Sequence, residues 1–236
     1  MDGRERWFES VPYDNDGKSV AAWFHRSFVD GLQQDADPGH WSTALDPDAG
    51  IFPITLLCLS YVTAAAGLVL GIADADTMEV VDFISDWFGR FQERSGGAYR
   101  EQAAALYPLF RHGLAHQRHP GLLDTGDGRN LGWALGRGIE RQRHLALGHG
   151  SMVVGATGRR ISYVLSVQVD LLFKDTLHVF SAVENEAATE EGVARRISEG
   201  AWKAKTRALR GGTARVLLPR IQAALDALDA AFPPVP

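Results

Sequence analysis

The run Ile51-Phe52-Pro53-Ile54-Thr55-Leu56-Leu57-Cys58-Leu59-Ser60-Tyr61-Val62-Thr63-Ala64-Ala65-Ala66-Gly67-Leu68-Val69-Leu70-Gly71 carries no charge. The uncharged stretch extends from Ala49 to Ala73, which is long enough for a transmembrane helix. Two readings compete: a membrane span, or the buried central helix of a helical protein. Thr55, Ser60, Thr63 and the alanine run make the segment only moderately apolar. Its flanks carry Asp46, Asp48, Asp74 and Asp76, with no Lys or Arg to mark an inside face. Pro53 suits a first helical turn. The buried helix is therefore the preferred reading, and the membrane span is the alternative.

Outward from this helix, the N-terminal side predicts a helix over Ser19 to Gln33 with Ala22, Phe24, Phe28 and Leu32 as its apolar positions. A loop follows over Asp35 to Gly50, punctuated by Pro38, Gly39, Pro47 and Gly50. On the C-terminal side, Asp76 or Thr77 can cap a helix with Glu79 in its first turn. Val80, Val81, Phe83, Ile84, Trp87, Phe88 and Phe91 give that helix an apolar stripe, and Ser95-Gly96-Gly97 ends it. The next helix is predicted from about Ala98 to Arg118, where His119-Pro120-Gly121 stops it. Gly121 to Arg129 reads as a loop.

The texture then changes. Arg143 to Val154 and Ile161 to Asp170 hold alternating or β-branched apolar residues, joined by Gly155-Ala156-Thr157-Gly158-Arg159-Arg160. This predicts a small β-hairpin. Helices are expected again over Val169 to Asn185, Thr189 to Leu209 and Thr213 to Ala231, ahead of a Pro-rich tail. The fold expected is mainly α, a helical bundle with a β-hairpin insertion and extra C-terminal helices. It is read as a single domain over 1–236: an acidic helix and loop over 1–49, a core over about 50–185, and C-terminal helices over 186–236.

The 236 residues carry a net charge of −5, which marks no general nucleic-acid binder. The distribution is uneven. Acids prevail before Gly50. From Ala194 to Gln222, Arg195, Arg196, Lys203, Lys205, Arg207, Arg210, Arg215 and Arg220 face only Glu199. That basic segment, with Trp202, reads as a solvated helix face in preference to an RNA-binding one. Cys58 is the single cysteine, lies in the apolar run, and reads as a buried small hydrophobe. A lone cysteine fits a reducing compartment, and Asp2 to Glu9 is charged with no signal-peptide pattern, so a cytoplasmic protein with no membrane contact is expected.

The chemistry-bearing stretch is Tyr107-Pro108-Leu109-Phe110-Arg111-His112-Gly113-Leu114-Ala115-His116-Gln117. At about 100° per residue, Ala103, Leu106, Tyr107, Phe110 and Leu114 share one side and should face the core. Arg111, His112 and His116 spread over the other side with Glu101, Ala104, Ala105, Pro108 and Ala115. Arg111 can clamp a phosphate through two donors. His116 titrates near neutrality and can move a proton. Metal-free RNA cleavage needs those two functions, and a second copy across a two-fold axis would double them.

The segment Arg111-His112-Gly113-Leu114-Ala115-His116 resembles the Arg, four residues, His motif of HEPN-domain proteins. Its setting is also similar: the apolar helix ending in Gly71, the aromatic-rich helix Val80 to Phe91, Leu106-Tyr107 before the motif, and a later helix with an acidic start at Asp170. The resemblance spans about residues 50 to 185. It implies a helical bundle, often a homodimer with the two motifs meeting at a cleft. It implies a metal-independent endoribonuclease, in toxin–antitoxin, antiphage or RNA-processing settings, with an antitoxin or other protein as a further partner. Arg111 and His116 would then be catalytic and His112 their polar support. The same resemblance allows a non-catalytic module that binds nucleotide, RNA or a partner protein.

The bland account of Arg111, His112 and His116 is a helix C-terminus whose cations oppose the dipole. His112 and His116, four apart, could hold a metal only with a third ligand such as His119, His144 or His149, so no metal site is assigned. His144, His149 and His178 otherwise read as isolated polar or partly buried residues. Gly132-Trp133-Ala134-Leu135-Gly136-Arg137-Gly138 lacks dinucleotide spacing and a preceding strand, so no cofactor is assigned.

Overall fold

A computed structural model describes residues 16–36, 51–112, 122–124, 126, 130–138, 140–150, 153–154 and 159–206, with the side chains of 112, 153–154, 159–160 and 206 outside that description. The chain divides into two units, Met1–Ala204 and Lys205–Pro236. Of the second, only residues 205 and 206 are described.

The first described element begins at Asp16, whose carboxylate accepts from the Ser19 amide at 3.0 Å and caps α1 (Gly17–Phe24). The helix continues through a π-helical segment, His25–Asp30, into α2 (Gly31–Asp35). This covers the expected helix over Ser19 to Gln33. Residues 37–50 of the expected loop lie outside the described residues.

The apolar run forms α3 (Ile51–Leu70), and Gly71 ends it at a φ of +72°. Thr55, Cys58, Leu59, Val62, Ala65 and Ala66 are buried in the core. Among the described residues it is the one helix long and apolar enough to cross a bilayer, and most of its apolar window is covered by the rest of the fold. Its hydroxyls are absorbed locally: Thr55, Ser60 and Thr63 each donate to the carbonyl four residues back.

Asp76 and Glu79 form a reciprocal capping box at the start of α4 (Thr77–Trp87). A 3₁₀ turn over Phe88–Phe91 leads into the short α5 (Gln92–Ser95), which Gly96 stops at a φ of +78°. The motif helix begins as α6 (Tyr99–Leu106) and widens to a π-helix over Tyr107–His112. Later come α7 (Val169–Thr189) and α8 (Glu191–Thr206). Within the first unit, α7 packs against α1 and α3, and α4 packs against α6. The expected helix over Thr213 to Ala231 lies outside the described residues.

The expected hairpin is part of a larger sheet. Strands β1 (Leu123–Asp124), β2 (Asn130–Gly136), β3 (Ala146–His149) and β6 (Tyr163–Gln168) form one sheet in the order β1-β2-β6-β3. The antiparallel pair β3/β6 corresponds to the two predicted arms, with Leu147 opposite Leu165. Within their connection, β4 (Val153–Val154) pairs with β5 (Arg159–Arg160). The correction concerns β2: the glycine-rich stretch is a strand, and it runs parallel to β6 with Trp133 opposite Leu165. Leu131, Trp133 and Leu135 turn one face toward the core, where Leu165 and Val167 are fully buried.

Candidate functional site

Two polar constellations are built on α6, one at each end. At the far end, Pro108 interrupts the ladder. Proline has no N–H to return to the Ala104 carbonyl, and its ring crowds that oxygen, so a wider turn relieves the strain. The π-helical segment Tyr107–His112 sits at this point, a kind of turn often found at functional sites. The wider turn also rotates the following residues, which explains why Leu109 is buried beside Phe110.

The expected core side holds: Ala103, Leu106, Tyr107 and Phe110 are buried. Tyr107 is anchored to α3, its hydroxyl 3.0 Å from Thr63 Oγ1. Because the Thr63 proton goes to the Leu59 carbonyl at 2.7 Å, Tyr107 donates in that pair. On the opposite side only Glu101, Ala104, Ala105, Pro108 and Arg111 are described to the side chain; Ala115, His116 and the side chain of His112 lie outside the described residues. Glu101 and Ala104 are exposed, and Ala105, Pro108 and Arg111 are half-buried. Glu101 accepts from Gln92 Nε2 at 3.0 Å, so it is engaged away from Arg111.

Arg111 is unusual in one respect. Its Nε is buried with no hydrogen-bond partner among the described residues. A guanidinium donor removed from water and left unpaired is costly, and the deficit is met when an anion accepts from it. Of the other motif residues, His112 ends the π-helical segment but its side chain is outside the described residues, as is all of His116 and Leu114. The structure therefore places one of the three expected site residues.

At the near end, sequence reasoning missed a buried network. The Tyr99 hydroxyl donates to Asp175 Oδ2 at 2.7 Å and stands 2.9 Å from His144 Nε2. The Gln168 amide donates to His144 Nδ1 at 3.3 Å. That bond assigns the tautomer: Nδ1 accepts, so Nε2 carries the proton and donates to Tyr99. All three side chains are buried, which corrects the reading of His144 as an isolated residue. Burial, and then the charge of Asp175, holds the Tyr99 hydroxyl well above the usual phenol range. Gly97 lets the rings approach, because a Cβ there would lie 2.8 Å from both His144 Cδ2 and Tyr99 Cε2. The available signal was Asp175, an acid among Leu171, Leu172, Thr176 and Val179 on the apolar face of α7. An acid in that position requires a buried partner.

Other expectations resolve simply. Cys58 is fully buried, and burial pushes its thiol up to about 12, the behaviour of an inert small hydrophobe. His149 is exposed on β3 against the Tyr163 ring, and His178 lies against Phe91. Among the described residues no group of three or more His, Cys, Asp or Glu could hold a metal. His119 lies outside them, and both nitrogens of His144 are used in the core. In the basic segment, Arg196 donates to the Val69 carbonyl at 2.8 Å and Lys203 to the Gly71 carbonyl at 2.7 Å. These cations satisfy the C-terminal carbonyls of α3. No protein-family model, curated protein or solved structure matches this chain.

Proposed function

We propose that the protein is a metal-independent endoribonuclease of the HEPN kind, working as a homodimer in which the motif helices of two copies border one cleft. The supporting observation is the guanidinium of half-buried Arg111 in a π-helical turn, whose buried Nε has no partner among the described residues. In this reading Arg111 binds the scissile phosphate and stabilises charge developing on it. His116 moves the proton to or from the 2′-hydroxyl or the leaving oxygen, and His112 supports it. A toxin–antitoxin or antiphage role, with a cognate antitoxin protein, belongs to the same proposal.

One observation also favours a second reading. An unpaired donor calls for an anion but not for chemistry, so the same face would serve a non-catalytic module that binds nucleotide, RNA or an acidic partner. Cleavage of a structured RNA in EDTA separates the two. Wild type should cleave, and His116→Ala should lose about 100-fold or more while still binding RNA. Arg111→Ala should lose both cleavage and binding. Equal cleavage by wild type and His116→Ala removes His116 from catalysis. Absence of cleavage with Arg111-dependent binding leaves the second reading.

A further inference from the structure

The two central strands of the sheet, β2 and β6, run parallel and end together, Gly136 opposite Gln168. Parallel neighbours release their chains at one edge, the edge at which open α/β sheets bind their ligands; here one parallel pair supplies such an edge in a mixed sheet. From β6 the chain passes with no loop into α7, a helix of 21 residues. Its N-cap residue is Gln168, whose side chain makes no capping bond. The first-turn amides of α7 therefore lack a side-chain cap from that residue at the positive end of the helix dipole.

A helix start of this kind is common and means little alone. The independent observation is the Gln168 side chain itself. Gln168 is only 6% exposed, and its Oε1 is buried with no hydrogen-bond partner among the described residues. The amide is turned across the strand pair onto Gly136: a Cβ there would lie 2.9 Å from Oε1 and 3.0 Å from Nε2. Native folds seldom keep a buried amide unpaired without a use for it. The oxygen and nitrogen exchange by a flip of the group, so the orphaned position can present an N–H donor instead. The turn after β2 closes over the same place. Gly138, at a φ of +104°, donates its amide to Asp170 Oδ2 at 2.9 Å, and Arg137 stands exposed in that turn.

We propose that this corner, where the ends of β2 and β6 meet the start of α7, binds the phosphate group of a small ligand. The α7 first-turn amides, the Gln168 amide turned nitrogen inward, and Arg137 supply the donors. Asp170 has two opposed effects: its bond to Gly138 holds the turn in place, and its charge weakens the site. This corner is at the Tyr99 end of the motif helix, since the Gln168 backbone N–H donates to His144 and His144 bonds Tyr99. Arg111 is at the other end, so this site stands or falls independently of the nuclease reading.

The test is a titration of the full chain, ¹⁵N-labelled, with inorganic phosphate and separately with adenosine monophosphate, at constant ionic strength. The amide signals of Gly138, Val169, Asp170 and Leu171 should move saturably. Gln168→Leu should weaken binding about tenfold. Asp170→Asn keeps an acceptor for Gly138 and removes the like charge, so it should bind phosphate more tightly. Adenosine monophosphate binding more tightly than phosphate identifies a nucleotide as the ligand; equal affinities identify the free anion, and both support the site. If neither ligand moves those signals while Gln168→Leu raises the unfolding temperature, the buried amide is only a packing defect and the proposal is overturned. Should Gln168→Leu fail to fold, an affinity unchanged by Asp170→Asn overturns it equally.

Discussion

The Tyr99 hydroxyl joins three segments, because α6, α7 and the turn before β3 meet at its oxygen. Tyr99→Phe removes the 2.7 Å donor to a buried carboxylate. The loss is bounded by geometry: His144 Nε2 already lies 3.3 Å from Asp175 Oδ2 and can turn its proton there. Urea unfolding should show a destabilisation of about 1–3 kcal/mol, at the low end if that rescue operates. The same residue sets a pH dependence. Tyr99 ionises far less readily when folded than unfolded, so its stabilising effect is complete below about pH 10 and falls away as pH rises further. Cys58 acts with the same sign, present below about 9 and lost as pH rises toward about 12. Stability should therefore decline in alkali, and less steeply above about pH 10 in Tyr99→Phe. An unchanged alkaline slope in that variant would show that the tyrosine is not titrating as the geometry requires.

At the scale of elements, the helices were legible and the sheet was only half so. The core side of the motif helix could be named from periodicity because Ala103, Leu106 and Phe110 repeat at helical spacing; Tyr99 at its start and Leu109 were missed, the latter because periodicity takes no account of a π turn. In β2 the strand signal was present as Leu131, Trp133 and Leu135 alternating toward the core. It was obscured by Gly132, Ala134 and Gly136 on the other face, residues poor in strand propensity. The partner of β2 is also distant in sequence, and local pattern carries no information on such a pairing. The network beneath α6 shows the same limit, joining Tyr99, His144 and Asp175 from separate segments. Within the motif, the placing of Arg111 on the polar side follows from its spacing, while its orphaned Nε depends on packing that no spacing encodes. The junction Ser95-Gly96-Gly97 tests how tightly these elements are fitted. A methyl at Gly97 would strike two rings at 2.8 Å, whereas one at Gly148 would meet nothing within 4 Å among the described residues. Gly97→Ala should lower stability by about 1–3 kcal/mol in thermal or urea melts. Gly148→Ala should stay within about 0.5 kcal/mol of wild type. Equal effects would mean that the ring contact is loose.

For the first unit as a whole, the question posed by the uncharged run is what surrounds α3. The hydroxyls of Thr55, Ser60 and Thr63 do not decide it, since bonding to the carbonyl four residues back serves equally in water and in lipid. The neighbours are more informative. Tyr61 of α3 donates to the carboxylate of Asp35 at 2.7 Å, and Arg196 and Lys203 reach the last carbonyls of the helix. These charged partners lie against the flank and the end of α3, and they fit a helix enclosed by protein. Burial around α3 is uneven, with Ala65 fully covered and its neighbour Ala64 exposed. This adjacent pair discriminates between the two environments. If the exposed side faces water, Ala64→Lys changes stability by less than about 0.5 kcal/mol. Ala65→Lys forces an ammonium among packed helices and should leave no folded protein. In a bilayer the exposed side would instead face lipid, and lysine at mid-helix would cost about 2.5–3.5 kcal/mol. Ala64→Lys would then be the damaging change. Urea unfolding of both variants in detergent-free buffer, with detergent partition of the wild type, reads the difference. A folded Ala64→Lys protein that stays in buffer supports the core helix, and one recovered only in detergent assigns α3 to a membrane.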